Sequence, residues 1–174
     1  DVYKRQQGQR VSKTQRSLYL SAARSFLFNQ LLTTRVEAGN WNSAINGDLF
    51  VIDGSHSCFS SAIDASITQR LSAHRIHPCG SLFGYGESKV SDQALAIEQG
   101  VFTQYPQLLT GLVDAKLASD YRALRVMPID LGWLFDTGNL QLSFSLPAGS
   151  FASALLREVV TYHDCALTQV LTAP

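Results

Sequence analysis

The chain is poor in cysteine, has no long apolar run, and is nearly without acids in its first fifth. Cys58, Cys79 and Cys165 are odd in number and widely spaced. No CxxC pair occurs, which excludes a disulfide framework and suits a reducing compartment. No apolar run approaches the ~18 residues of a membrane helix. The first twenty residues are polar and basic, without the apolar centre or cleavage site of a signal peptide. A soluble, cytoplasmic chain is therefore expected. Common catalytic signatures are missing too. There is no G-x-S-x-G elbow, since Gly149-Ser150 lacks the flanks. Gly80, Gly84 and Gly86 have neither the GK[ST] ending of a P-loop nor GxGxxG spacing, and read as loop punctuation. His74-x-x-His77 with Cys79 could share a helical face. Pro78 would break that helix and no fourth ligand is near, so these read as surface and loop residues. No carboxylate pair carries a protease or glycosidase signature.

The acid deficit has a counterpart. Residues 1–36 hold seven Lys/Arg against Asp1 alone, and the remainder holds seven against thirteen acids, so a net charge of zero conceals a basic end. Such an end either binds a polyanion or is a solvated tail. The longest periodic segment, residues 16–35, lies here. Leu20, Ala23, Phe26, Leu27, Asn29, Leu31 and Leu32 recur mostly at three- and four-residue steps, one face of a helix. Ser17 is a candidate N-cap, and Gly39 sits where a left-handed C-terminal cap belongs. Arg16, Arg24 and Arg35 are its only charges, and Lys4, Arg5, Arg10 and Lys13 precede it.

Along the chain, residues 49–52 and 56–59 read as a small hairpin about Asp53-Gly54. A helix from Ser60 or Ser61 to about Arg75 follows, with Ile63, Ile67 and Leu71 inward and Pro78 and Gly80 ending it. A glycine-rich loop, 80–88, precedes a helix capped by Ser88 or Ser91, and Pro106 begins another over 107–117. Residues 123–134 read as an edge or interrupted strand because of Pro128. Asp136-Thr-Gly-Asn139 is a turn. Leu140, Leu142, Phe144 and Leu146 alternate with polar residues, the clearest strand in the chain. Ser150 would cap a last helix with Phe151, Ala154, Leu155 and Val159 inward. At 174 residues, 45% of them hydrophobic, the chain can bury a core. The expected class is α+β: a helical first part with a small β-hairpin, then strand, strand and helix, with a boundary near 118–124.

Four stretches carry a resemblance. Residues 16–32, RSLYLSAARSFLFNQLL, resemble S-A-x-R-S-x-x-F-N-x-x-L of the TruD family of tRNA pseudouridine synthases. Asn46-Gly47-Asp48 matches a G-D before the hairpin, and Gly80-Ser-Leu-Phe-Gly-Tyr-Gly-Glu87 a G-x-L-x-G-x-G loop. Residues 146–158, LPAGSFASALLRE, resemble the closing L-P-A-G-S-[FY]-A-[TS]-x-x-x-R-E. The order is kept across residues 14–160. The resemblance implies isomerisation of a tRNA uridine, position 13 in the bacterial case, by an aspartate without cofactor or metal. It also implies an inserted TRUD-type domain over residues 14–121 and, over 122–174, the end of the catalytic domain. Residues 1–13 read as a leader or linker that need not be native. The family's catalytic G-x-K-D-R is not present, and none of the ten Asp has its flanks. The chain is thus expected to be a C-terminal portion, inactive alone, and a monomer that binds tRNA and no membrane. Candidate support for the active site is Arg157, Gly149 and Ser150, with Arg157 alternatively in a structural salt bridge. Candidate RNA contacts are Arg24, Arg16, Lys13, Arg10 and Arg35, with Arg24 alternatively in an internal ion pair. A non-catalytic RNA-binding module is the alternative for the whole chain.

Overall fold

The computed structural model describes residues 11–161 and divides into two compact units that meet at Arg125 and Val126. The first unit is built on helix α1, Lys13–Glu37. Its N-cap is Ser12 rather than Ser17, because Ser12 and Gln15 form a reciprocal capping box one turn earlier. Gly39, φ +68°, closes the helix as expected, its N–H bonding Val36 O and that of Asn40 bonding Arg35 O. Leu27, Phe28 and Leu31 are buried, Leu20 and Ala23 partly so; Phe26 and Asn29, expected on that face, are exposed.

An antiparallel sheet follows, in the order β2-β1-β3-β4, from β1 (Leu49–Ile52), β2 (Cys58–Ser60), β3 (Ile76–Leu82) and β4 (Asp120–Ala123). Between strands lie α2 (Ala65–Ser72), α3 (Asp92–Phe102) and α4 (Pro106–Asp114). Alternation divides β1: Phe50 packs with Ile67, Leu71 and Ile76, while Leu49 and Val51 pack with Cys79, Val90 and Ala94. A third cluster joins Leu27 and Leu31 of α1 to Val101, Phe102 and Leu112.

Strand β3 corrects the sequence reading most. Pro78 and Gly80 were expected to end a helix and open a loop, yet they lie in a strand buried along nearly its whole length. Pro78 is tolerated because its carbonyl accepts the Leu124 N–H (2.8 Å), just past the last residue of β4. Its missing N–H faces that same side, so the β1 ladder loses nothing. Gly80 is there because α1 lies close above it. An added Cβ would stand 2.9 Å from Leu31 Cδ2 and Leu124 Cδ2. Helix α2 is shorter than expected, since Ser60 is taken by β2 and Asp64 makes the cap to Ile67 N (2.8 Å); Ile63 is left exposed.

Two polar groups, Glu98 buried and Arg125 partly buried, tie helix and strand together. Glu98 of α3 accepts from Ser81 N (3.0 Å) and Ser81 Oγ (2.7 Å) of β3. Burial pushes its carboxyl above the ordinary value, partly offset by those bonds. Arg125, the last residue of the unit, donates from Nη2 to Leu71 O (2.8 Å) and Ile76 O (3.0 Å), from Nη1 to Asn42 O (3.4 Å), and from Nε to His77 Nδ1 (2.9 Å). A guanidinium only donates, so Nδ1 is the bare nitrogen and Nε2–H serves Asp53 Oδ1 (2.9 Å). His77 is therefore a strand residue with both ring nitrogens engaged, not the loop residue expected.

The second unit contains β5 (Ile129–Asp136), β6 (Asn139–Ser145) and α5 (Ala152–Val159). β5 starts later than expected, after Pro128, and residues 123–125 belong to the first unit. The β5–β6 hairpin turns on Thr137-Gly138, φ +43° and +86°, the two-residue geometry that matches strand twist. Asp130, φ +53°, is the extra residue of a bulge in β5. Trp133 pairs with Leu142 and Phe135 with Leu140, which makes one face apolar. No described residue of this unit is buried. Ser150 does not cap α5; Phe151 holds that position, and with Ala154 and Val159 it is exposed rather than inward.

Two measurements check these assignments. Gly80→Ala destabilises the chain by about 1–3 kcal/mol in urea unfolding. Gly100→Ala, in helix α3 with open space around its Cα, is neutral or stabilising. For Glu98, the folded state holds the proton more tightly than the unfolded chain. Its contribution is complete below about 4.5, the ordinary value, and is lost as pH rises through the raised value. The stability of wild type relative to Glu98→Gln therefore falls with rising pH over that window in denaturant titrations.

Candidate nucleic-acid interface

Helix α1 carries three classes of side chain around its axis, and they have different fates. The apolar stripe is sunk in the core. Lys13 and Arg16 are exposed on the first turns. Arg24 is half-buried, and its Nη2 donates to Leu82 O (3.0 Å) and Ala118 O (3.2 Å), at the end of β3 and before β4. Its Nε is buried with no partner among the described residues. Arg24 therefore makes no internal ion pair there; its acceptors are neutral carbonyls. Gly84 lets the chain at Leu117 and Ala118 come this close, since a Cβ on it would collide with their backbone.

Beside Arg24 is a cavity of about 250 Å³. Ser17, Leu20, Ser21, Arg24 and Ser25 of α1 form one wall. Leu82, Leu117 and Arg122 form the rest. Arg122 stands on β4 opposite Gly80 and holds its guanidinium 5.2 Å from the centre of the Phe28 ring. Sequence reasoning did not single out Arg122. Its approach to Arg24 depends on β3–β4 pairing, which leaves no local trace, whereas Ser17, Ser21 and Ser25 at four-residue steps were visible.

Arg35 is corrected. It is 3% exposed and cannot meet a phosphate. Nη1 bonds Asp48 Oδ1 (2.8 Å) and Nη2 bonds Asp48 Oδ2 (3.1 Å), a bidentate buried pair. Nη2 also reaches Asn40 O (2.9 Å) and Ser43 O (3.3 Å), and Asp48 accepts Ile45 N–H (2.9 Å). Arg10 lies outside the described residues. In the second unit, Gly149 (φ +86°) and Ser150 precede α5, with Ser150 N bonded to Pro147 O (3.1 Å). Arg157 is exposed in the last turn of α5, with no ion-pair partner among the described residues. Among the described residues no group of three His, Cys, Asp or Glu could hold a metal, and no helix is long and apolar enough to cross a membrane.

The fold is that of an α+β protein whose longest helix carries exposed cations at its start and an arginine-lined cavity beside Arg24. Comparison with known sequences makes the assignment specific. The family described as tRNA pseudouridine synthase D (TruD) matches residues 5–159. Proteins named tRNA pseudouridine synthase D are similar over most of the chain. That of Xanthomonas campestris pv. campestris (strain 8004) is 46% identical over 163 residues, 90% of this chain and 44% of its own. That of Methylococcus capsulatus is 42% identical over 155 residues, 88% and 44%. That of Hydrogenovibrio crunogenus is 41% identical over 146 residues, 83% and 42%. A Methanosarcina mazei crystal structure described as tRNA pseudouridine synthase D superposes with a TM-score of 0.59 at 24% identity, covering 78% of this chain and 36% of that one, a likeness of fold. The chain belongs to the TruD family, and it spans less than half the length of these curated relatives.

The reassignment of Arg35 has a measurable consequence. Asp48→Ala strands a guanidinium in the core and lowers unfolding free energy by about 3–5 kcal/mol. A surface arginine paired to nothing would predict almost no change, so chemical denaturation separates the two.

Proposed function

We propose that this chain is part of a tRNA pseudouridine synthase that converts a tRNA uridine, at position 13 by family resemblance, to pseudouridine. The observation that carries the reading is the family match over residues 5–159, which includes the closing LPAGSFASALLRE stretch. On this reading residues 14–121 are an inserted TRUD-type domain and 122–174 return to the catalytic domain.

The chemistry explains what such an enzyme needs. The bond from N1 to the ribose carbon breaks, the base turns, and a bond from C5 to that carbon forms. The proton leaves C5, and N1 ends as N–H. A base within folded RNA must first be extruded into a pocket. A carboxylate acts as nucleophile or base, and a nearby cation keeps it ionised. We assign that carboxylate to an aspartate outside these residues, since no Asp here has the family's catalytic flanks. Arg157 is the cation proposed beside it, with Gly149 and Ser150 shaping the wall. The uncovered apolar face of β5–β6, with Trp133 69% and Phe135 73% exposed, suits a strand pair completed by further sheet. Lys13, Arg16 and Arg24 supply cations for the RNA backbone, which is recognised more by phosphate and shape than by base edges.

The test has two parts. The chain, incubated with an unmodified tRNA transcript, binds it at low salt and forms no pseudouridine; product formation by this chain would overturn its proposed inactivity. Lys13→Ala and Arg16→Ala each lower the slope of log affinity against log salt by about 1. In the parent enzyme Arg157→Ala slows pseudouridine formation, and an unchanged rate would remove its role.

A further inference from the structure

The cavity between α1 and the β3–β4 end of the first unit is assigned by nothing above to a ligand. Its composition is unusual for a void in a packed domain. Two guanidinium groups, Arg24 and Arg122, line it, and neither has a carboxylate partner among the described residues. Each is fixed by other means. Arg24 is anchored on two carbonyls, and Arg122 rests on the Phe28 ring. Held this way, both keep donors and charge uncommitted, and neither must lose much side-chain entropy to bind. Ser17, Ser21 and Ser25 add three hydroxyls, and none makes a hydrogen bond to a described side chain or main-chain group. Two fixed cations with neutral donors around a small space are the donor set for an oxyanion.

The size and lining decide which oxyanion. At about 250 Å³ the cavity is below the range typical of small-molecule pockets, about 300–1,000 Å³. No aromatic ring lines it, so it offers no platform for stacking a base. Its position decides the source. At 3.6 residues per turn, Lys13 and Arg24 stand within about 20° of each other around α1 and about 16 Å apart along it, with Arg16 between them in height but about 60–80° round the axis. The cavity thus lies on the same side of α1 as Lys13, with Arg16 on the adjoining face.

The geometry points to a seat for one RNA backbone phosphate, held by Arg24 and Arg122 with the α1 serines, where the strand enters the cavity while its neighbours lie along Lys13 and Arg16. This rests on the tRNA reading and deepens it. The cavity sets register by capturing a single phosphate, and the exposed cations add affinity.

Arg24 also ties strands together, so its loss risks the fold. Ser21→Asp and Arg122→Gln carry the test instead, with thermal unfolding to show that both fold. The full chain is titrated with unfractionated tRNA across a salt series. Each variant is expected to lose about tenfold in affinity at low salt and about one unit of salt slope. As a readout free of tRNA, inorganic phosphate replacing chloride at matched ionic strength raises the melting temperature of wild type and not of Ser21→Asp. Wild-type tRNA binding with unchanged slopes in both variants overturns the phosphate seat and leaves the tRNA reading standing. Absence of tRNA binding by the wild-type chain, with phosphate still stabilising it, overturns the backbone assignment and makes the cavity a free-anion site.

Discussion

A guanidinium in a hydrocarbon core must be answered by a carboxylate, and much of the first unit is arranged around meeting that demand at Arg35. Asp48 supplies both oxygens, and the carbonyls of Asn40 and Ser43 also accept from Nη2, while Nε is buried without a partner among the described residues. Those partners come from the end of α1, the loop after it and the entrance to β1. One pair therefore fixes where α1 stops, how the chain turns, and where the sheet begins. It also fixes the rotation of α1 about its axis. Arg24 lies three turns earlier on nearly the same stripe. With Arg35 locked inward at the sheet, Arg24 is delivered to the far end of β3, where only carbonyls meet it. The same residue type on one helix thus becomes a structural ion in one place and an available cation in the other.

How much of this was legible follows from which interactions are local. The α1 stripe, the Ser91 and Pro106 helix starts, the 136–139 turn and the alternation of β6 were all readable, because each signal lies within a few residues. The failures share a cause. β3 was missed because Pro and Gly are read as breakers from local preference. Here pairing on both sides and the helix pressing on Gly80 outweigh it. Arg35 was indistinguishable in sequence from Arg16 and Arg24, since its partner is thirteen residues away and set by a turn. Arg122 could not be placed near Arg24 without knowing that β4 pairs with β3. Ser17 and Ser150 were plausible caps displaced by neighbours: a reciprocal box at Ser12, and Phe151 at the start of α5.

The two units differ in how fully their sequence patterns are satisfied. In the first, alternating residues of β1 and β3 find partners on both sides, and the buried residues form three clusters. In the second, the pattern of β5 and β6 is as regular as any in the chain, yet Trp133, Leu134 and Phe135 stay well exposed. A tight turn and good cross-strand pairs form a hairpin without a core, because they act through contacts already made within the pair. Regular alternation reports a face to be covered and leaves open what covers it.

Arg125 gives the first unit a property of another kind. Its side chain grips Leu71, Ile76, His77 and Asn42, four points on three stretches of chain, at the last residue before the second unit begins. A polypeptide pulled or twisted beyond Val126 would otherwise load β4 directly and peel it from β3 one ladder bond at a time. Spread over four anchors, such a load would be shared with the Arg125 bonds instead of falling on the β4 ladder alone. The guanidinium thus braces the first unit at the residue where the chain leaves it.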